Sequence, residues 1–188
     1  MKNEREKVCY IIRKRLLDRM NAFTQDKISY YKKGKLSNET VERVIEITNE
    51  NDLHKEPSKR FNIEDSPKKK AVLTRIIYML SDRSYSFAGR EKLMEKYKCS
   101  VDVINDVTRL LKETGLFVVM YLKNPKSNGY KTPVFFYTEH QLYQSVKQFI
   151  IGIDSSYKDA FVVSSRYSQA IVQATLSDGA TPCQDWDR

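Results

Sequence analysis

Asn105 and Arg109 stand four residues apart, one helical turn, in the segment Ser100-Val-Asp-Val-Ile-Asn-Asp-Val-Thr-Arg-Leu-Leu-Lys. An amide places a donor beside an acceptor and pairs with the edge of adenine, while a guanidinium presents two parallel donors and pairs with guanine. On one face of a helix the two could read base edges in a major groove; the plainer reading makes both solvated surface residues. Cations surround them. Arg90, Lys92, Lys96 and Lys98 precede the segment, Lys112 closes it, and Lys123, Lys126 and Lys131 flank Ser127, Asn128, Gly129 and Tyr130. With the hydroxyls of Ser100 and Ser127, the amide of Asn128 and the ring of Tyr130, these side chains suit phosphate and sugar, which supply affinity and orientation without reading sequence. Any one of these lysines alone is an ordinary solubilising charge, and their joint placement carries the reading.

Other chemistries find no residues. The chain holds no glycine-rich phosphate loop, no Gly-x-Ser-x-Gly elbow and no paired carboxylates in a metal-binding pattern. His54 and His140 are not at ligand spacing from Cys9, Cys99 or Cys183, so no zinc site assembles from local pairs. Three dispersed cysteines leave an odd count, which argues against a disulfide framework and for a reducing compartment. No apolar run approaches the roughly 18 residues of a membrane span. The expectation is a cytoplasmic, non-enzymatic protein with no cofactor.

The elements that would position these residues are legible from spacing. Ser100 is a candidate N-cap, Ile104, Val107, Leu110 and Leu111 form the inner face of the helix it starts, and Gly115 suits the left-handed residue after its end. Upstream, Gly89 to Tyr97 reads as a shorter helix that buries Leu93, Met94 and Tyr97, joined across Lys98-Cys99. Before it come a short extended piece at Ser84–Ala88 and a helix opened by Ser66 and Pro67, with Ala71, Leu73, Ile76, Ile77 and Leu80 inward. Downstream, Leu116–Leu122 and Thr132–Thr138 read as two strands joined by the basic loop, with Pro133 indicating that the second begins at an edge. Two short helices across a tight turn followed by a hairpin describe a winged helix-turn-helix.

Flanking this unit, Val8, Ile12, Leu16 and Met20 predict an amphipathic helix from about Glu4 to Met20, and Ser37 a cap for a helix ending near Asn49. Residues 49–70 are polar and contain Pro57 and Pro67, the composition of a linker. Beyond His140, Leu142, Val146, Phe149, Ile150 and Ile153 make an apolar helical stripe, expected to face either its own domain or, as the favoured reading, a second copy. A weaker stripe follows at Val163, Tyr167, Ala170, Ile171 and Ala174. The organisation expected is a basic helical region over 1–53, a linker over 54–66, the winged domain over 67–139, a C-terminal helical and dimerising region over 140–176, and a flexible tail over 177–188. The fold class is mainly α with a small antiparallel β wing.

Charge is uneven. Of the formal +9 on 188 residues, residues 1–37 hold eleven lysines and arginines against four acidic residues, which leaves +2 for the remainder. A field of that sign attracts nucleic acid or an acidic membrane surface.

The stretch Ser84–Phe117 resembles the winged helix-turn-helix domains of bacterial transcription regulators and of plasmid or phage replication initiators. The resemblance lies in the helix Glu91–Tyr97, the capping Ser100, the core positions Ile104, Leu110 and Leu111, and the exit Lys112-Glu-Thr-Gly-Leu-Phe into the wing. It implies binding of double-stranded DNA as a homodimer. The chain departs from many relatives in carrying Asp102 and Asp106 on the outer face of the third helix, where carboxylates repel phosphate but can accept from a cytosine amino group. Those two residues support an alternative, a winged-helix adaptor that binds protein; a nonspecific DNA-coating protein is a third possibility.

Overall fold

Local chemistry marks most element boundaries. The computed structural model of the protein describes residues 11–30, 33–87, 89–123 and 130–161. In chain order these form β1 (Ile11–Ile12), α1 (Lys14–Thr24), a 3-10 segment over Gln25–Tyr30, α2 (Lys33–Leu53), a 3-10 turn at Pro57–Lys59, α3 (Pro67–Leu80), β2 (Tyr85–Phe87), α4 (Arg90–Tyr97), α5 (Val101–Glu113), β3 (Phe117–Lys123), β4 (Tyr130–Tyr137), α6 (Tyr143–Ile153) and a helical turn over 157–161. The described chain is mainly helical, with one small mixed sheet.

α3 starts as its sequence predicts: Ser66 is extended, its hydroxyl accepts from the Lys69 amide at 3.5 Å, and Pro67 takes a position where its missing N–H costs nothing. Gly115 adopts φ 75 just after α5, as expected. Ser100 holds the N-cap position of α5 with extended backbone, but its side chain makes no capping hydrogen bond. The turn between α4 and α5 closes on Lys98, a non-glycine residue at φ 46.

Three expectations about element boundaries and strand order need correction. Ile11 and Ile12 are strand, not helix: they pair in parallel with Tyr121 and Leu122, and α1 begins at Lys14, while residues 4–10 of the expected helix lie outside the described residues. Two β-branched residues fit an open sheet edge better than a helix interior. Ser37 does not cap a helix but lies buried within α2, which begins at Lys33 and runs on to Leu53. Polar side chains are accommodated there by back-bonding, as when the Thr40 and Thr48 hydroxyls donate to the carbonyls of Leu36 and Val44, each at 2.7 Å. The sheet is four-stranded and mixed, ordered β1-β3-β4-β2, rather than a two-stranded antiparallel wing. Pro133 pairs opposite Tyr121 and sits just before Val134, where β2 begins to pair, so no strand on that side misses its N–H.

Alternation along the sheet divides the molecule into layers. Phe117, Phe135 and Tyr137 face a front core built with Val41 and Val44 of α2, Leu73, Ile76, Ile77 and Leu80 of α3, and Ile104, Val107, Leu110 and Leu111 of α5. Val118, Met120, Val134, Phe136 and Tyr85 face a rear core with Ile12, with Leu16, Leu17 and Met20 of α1, with Val146 and Ile150 of α6, and with Phe161.

Residues 54–66 are no free spacer, because Phe61 and Ile63 are buried in the front core and Asp52 accepts from the amides of Phe61 (2.8 Å) and Asn62 (3.2 Å). The stripe expected to meet a second copy is likewise used within the chain. Val146 and Ile150 are fully buried, Leu142 is buried, Ile153 packs against the rear core, and Phe149 stacks on Phe23 with ring centroids 4.3 Å apart. Packing against α1 and the sheet satisfies this face, so its apolarity gives no ground for a dimer.

Candidate nucleic-acid interface

Of the residues of α5, only Asp102 is exposed; Val101, Val103, Asn105, Asp106, Arg109 and Lys112 are half-buried. The cover comes from the segment after α2. Lys55 reaches Glu113 at 2.7 Å and Asp52 at 3.2 Å, and its ammonium lies 4.2 Å from the centroid of Phe61. Arg109 lies 4.7 Å from the same ring centroid and 3.1 Å from Asp106, which Lys69 also reaches at 2.8 Å. The Arg109 Nε is buried without a hydrogen-bond partner among the described residues. One aromatic ring thus takes two cations, and carboxylates on α2 and α5 balance them.

Arg109 is thus engaged within the protein. Its helix-spaced ion pair is worth about 0.3–0.5 kcal/mol and its cation–π contact about 0.5–1 kcal/mol at a partly exposed site, so freeing the guanidinium costs about 1–1.5 kcal/mol. A bidentate guanine pair returns about 1–3 kcal/mol. Release from these protein contacts would offset part of what such a pair contributes. Asn105 lies nearer the open N-terminal half of the helix, half-buried and with protein contacts of its own. The sequence reading missed Phe61 because it is an isolated aromatic in a polar stretch; Phe61 and Ile63, two apolar residues two positions apart, were the available signal.

The expected phosphate contacts divide by place. Lys92 and Lys96 on α4 and Lys98 in the turn are exposed, as is Ser100. Lys68, in the first turn of α3, is exposed as well: its ammonium donates to the Lys98 carbonyl at 2.7 Å, so α3 adds a cation at the turn that leads into α5. Arg90 is half-buried, with its Nε buried and unpaired among the described residues. Lys112 is turned to the sheet, donating to the Tyr121 hydroxyl at 2.8 Å. Lys123 ends β3 and pairs in register with Tyr130, after which Lys131 continues β4. Lys126, Ser127 and Asn128 lie outside the described residues, as do the weaker stripe from Val163 to Ala174 and the 177–188 tail.

Behind this surface a buried histidine fixes the junction of the two layers. His140 Nδ1 accepts from the Leu142 amide at 3.0 Å, which leaves the proton on Nε2 to donate to the Ser81 carbonyl at 2.9 Å. Burial pushes its pKa below the ordinary 6.5, against the pull of that carbonyl and of Asp82. Tyr143 beside it is pushed up to about 12 by burial.

On the front layer, a recess of about 550 Å3 is lined by Glu42, Ile45, Glu46, Glu50, Leu53, Glu64 and Lys70, so the charge around α2 is acidic. Among the described residues no group of three or more His, Cys, Asp or Glu could hold a metal ion, and no helix is long and apolar enough to cross a membrane. No protein family, curated protein or solved structure matches the chain.

Proposed function

We propose that the chain is a DNA-binding protein of the winged-helix type, serving as a transcription regulator or a replication factor. The observation that carries this reading is the succession α3-β2-α4-α5-β3-β4, in which β2 returns to pair with β4 and gives an antiparallel β2-β4-β3 run behind a tight helical pair. That is the order of elements in the resemblance drawn from the sequence. On this reading Lys68, Lys92, Lys96 and Lys98 contact phosphates near the start of α5, the hairpin strands that carry Lys123 and Lys131 extend the interface, and Asn105 meets a base edge.

The test is fluorescence anisotropy with a duplex from the gene's own upstream region and with a scrambled duplex, titrated over salt. Tighter binding to the first is expected, with affinity falling steeply as salt rises. Replacing Lys92, Lys96 and Lys98 together by alanine should lower the log–log salt slope by about 2–3, at roughly 0.9 for each phosphate that is no longer neutralised. Equal binding to both duplexes would make this a nonspecific coating protein, and absence of binding at low salt would end the DNA reading.

A second reading is favoured by one observation: Asp102 is the exposed residue of α5, and Arg109 is committed to Asp106 and Phe61. A helix so arranged suits a basic protein surface. That adaptor would bind no duplex DNA and would be indifferent to the three lysine substitutions.

A further inference from the structure

The register of β1 places part of the chain's charge. β1 runs parallel to β3, with Ile11 beside Tyr121 and Ile12 beside Leu122. The residues that follow are Arg13 on one line and Lys123 on the other, at the end of the sheet where β3 finishes and β4 begins opposite it at Tyr130. There α1 starts. Arg13, Lys14 and Arg15 form its entry and Arg19 follows one turn later, all four exposed.

Two carboxylates lie near, Asp18 on the same helix and Asp154 after α6, which feels the charge of Arg13. Among the described residues neither stands within 4 Å of any of the four cations. Stability does not account for the cluster, because cations in a first turn oppose the helix dipole and repel one another. Packing does not account for it either, since Leu16, Leu17 and Met20 supply the buried face of α1.

We propose that Arg13, Lys14, Arg15 and Arg19 form a second phosphate-binding track, continuing the DNA contact from the hairpin end of the sheet along the outer side of α1 and holding the duplex backbone that flanks the part met by α4 and α5. This rests on the DNA-binding reading above. Arg13 to Arg19 spans about 9 Å of helix axis, room for two or three phosphates of one strand at roughly 3.4 Å rise each. The track reads no bases, so it adds affinity and a longer footprint on any sequence.

The test uses the full chain and a labelled duplex of arbitrary sequence, with anisotropy titrated over salt. Four proteins are compared: the natural chain, Arg13→Ala/Lys14→Ala/Arg15→Ala/Arg19→Ala, the charge-keeping Arg13→Lys/Arg15→Lys/Arg19→Lys, and Lys92→Ala/Lys96→Ala/Lys98→Ala. Thermal melts establish that each is folded, and Arg15→Gln/Arg19→Gln replaces the alanine variant if that one is not. The alanine variant should lose about 2–3 from the salt slope and at least about tenfold in low-salt affinity, while the lysine variant keeps the natural slope. A folded alanine variant with the natural slope, alongside an α4 variant whose slope has fallen, overturns the track and leaves the DNA reading intact. Absence of binding by the natural chain at low salt overturns both.

Discussion

Lys55 makes the most consequential polar contacts in the front layer. Its ammonium is the cation between two buried carboxylates, Glu113 and Asp52, and it lies against Phe61. Removing it leaves two unneutralised carboxylates out of water, so Lys55→Met should cost about 3–5 kcal/mol in urea unfolding. Arg109 behaves differently, because its contacts are partly exposed: Arg109→Ala should cost about 1–2 kcal/mol of stability and change duplex affinity by less than tenfold. A loss of a hundredfold or more in affinity at unchanged stability would return Arg109 to the base-reading role.

His140 supplies the pH dependence. Its folded pKa is depressed, so the unfolded chain binds the proton more tightly, and stability rises with pH wherever that difference operates. The contribution of the neutral ring is complete above the unfolded value of 6.5 and is lost as pH falls through that value toward the folded one. Protonation also turns Nδ1 from acceptor to donor against the Leu142 amide. Melting temperatures taken from pH 8 down to pH 5 should fall for the natural chain and flatten for His140→Gln; equal slopes would remove His140 as the cause.

Among the elements, those whose ends carry their own chemistry were legible. Ser66 with Pro67 and Gly115 placed α3 and the end of α5 correctly, because caps and left-handed residues act within a few bonds. α1 and α2 were misjudged because their ends are set by partners. Ile11 and Ile12 fit a helical stripe and a strand equally well, and the free edge of β3 decides between them. The α6 stripe is apolar as its spacing indicates, and it is its own chain that covers Val146 and Ile150, since spacing shows that a face must be covered and not by what. Ile150→Ala should therefore cost about 2–5 kcal/mol, and by the same amount at every protein concentration, as packing within one chain requires. A cost that shrinks on dilution would restore the dimer.

Across the molecule, both cores share the sheet: Phe117 and Phe135 point forward, and Val118 and Phe136 backward from the same strands. Neither layer can lose its packing without exposing one face of the other, so heating should give a single transition with equal calorimetric and van't Hoff enthalpies. Two resolved transitions would mean that the layers are separate folding units. Two helices on opposite faces of the sheet carry opposite charge, with the Arg13–Arg19 cluster on α1 behind and Glu42, Glu46 and Glu50 on α2 in front, a contrast that the net charge of +9 conceals.

Periodicity, capping and composition were enough for the mainly helical character, the helical pair at α4 and α5, the hairpin of β3 and β4, and the excess of basic residues near the N-terminus. All of these are properties of neighbours along the chain. Which faces remain open was settled only by folding. Phe61 lies 48 positions from Arg109 in the numbering yet shares its cation, and Ile12 lies far from Leu122 yet sets where α1 begins. Burial and strand pairing act between segments that only the folded chain brings together, so which of the candidate side chains stay open is decided by the fold.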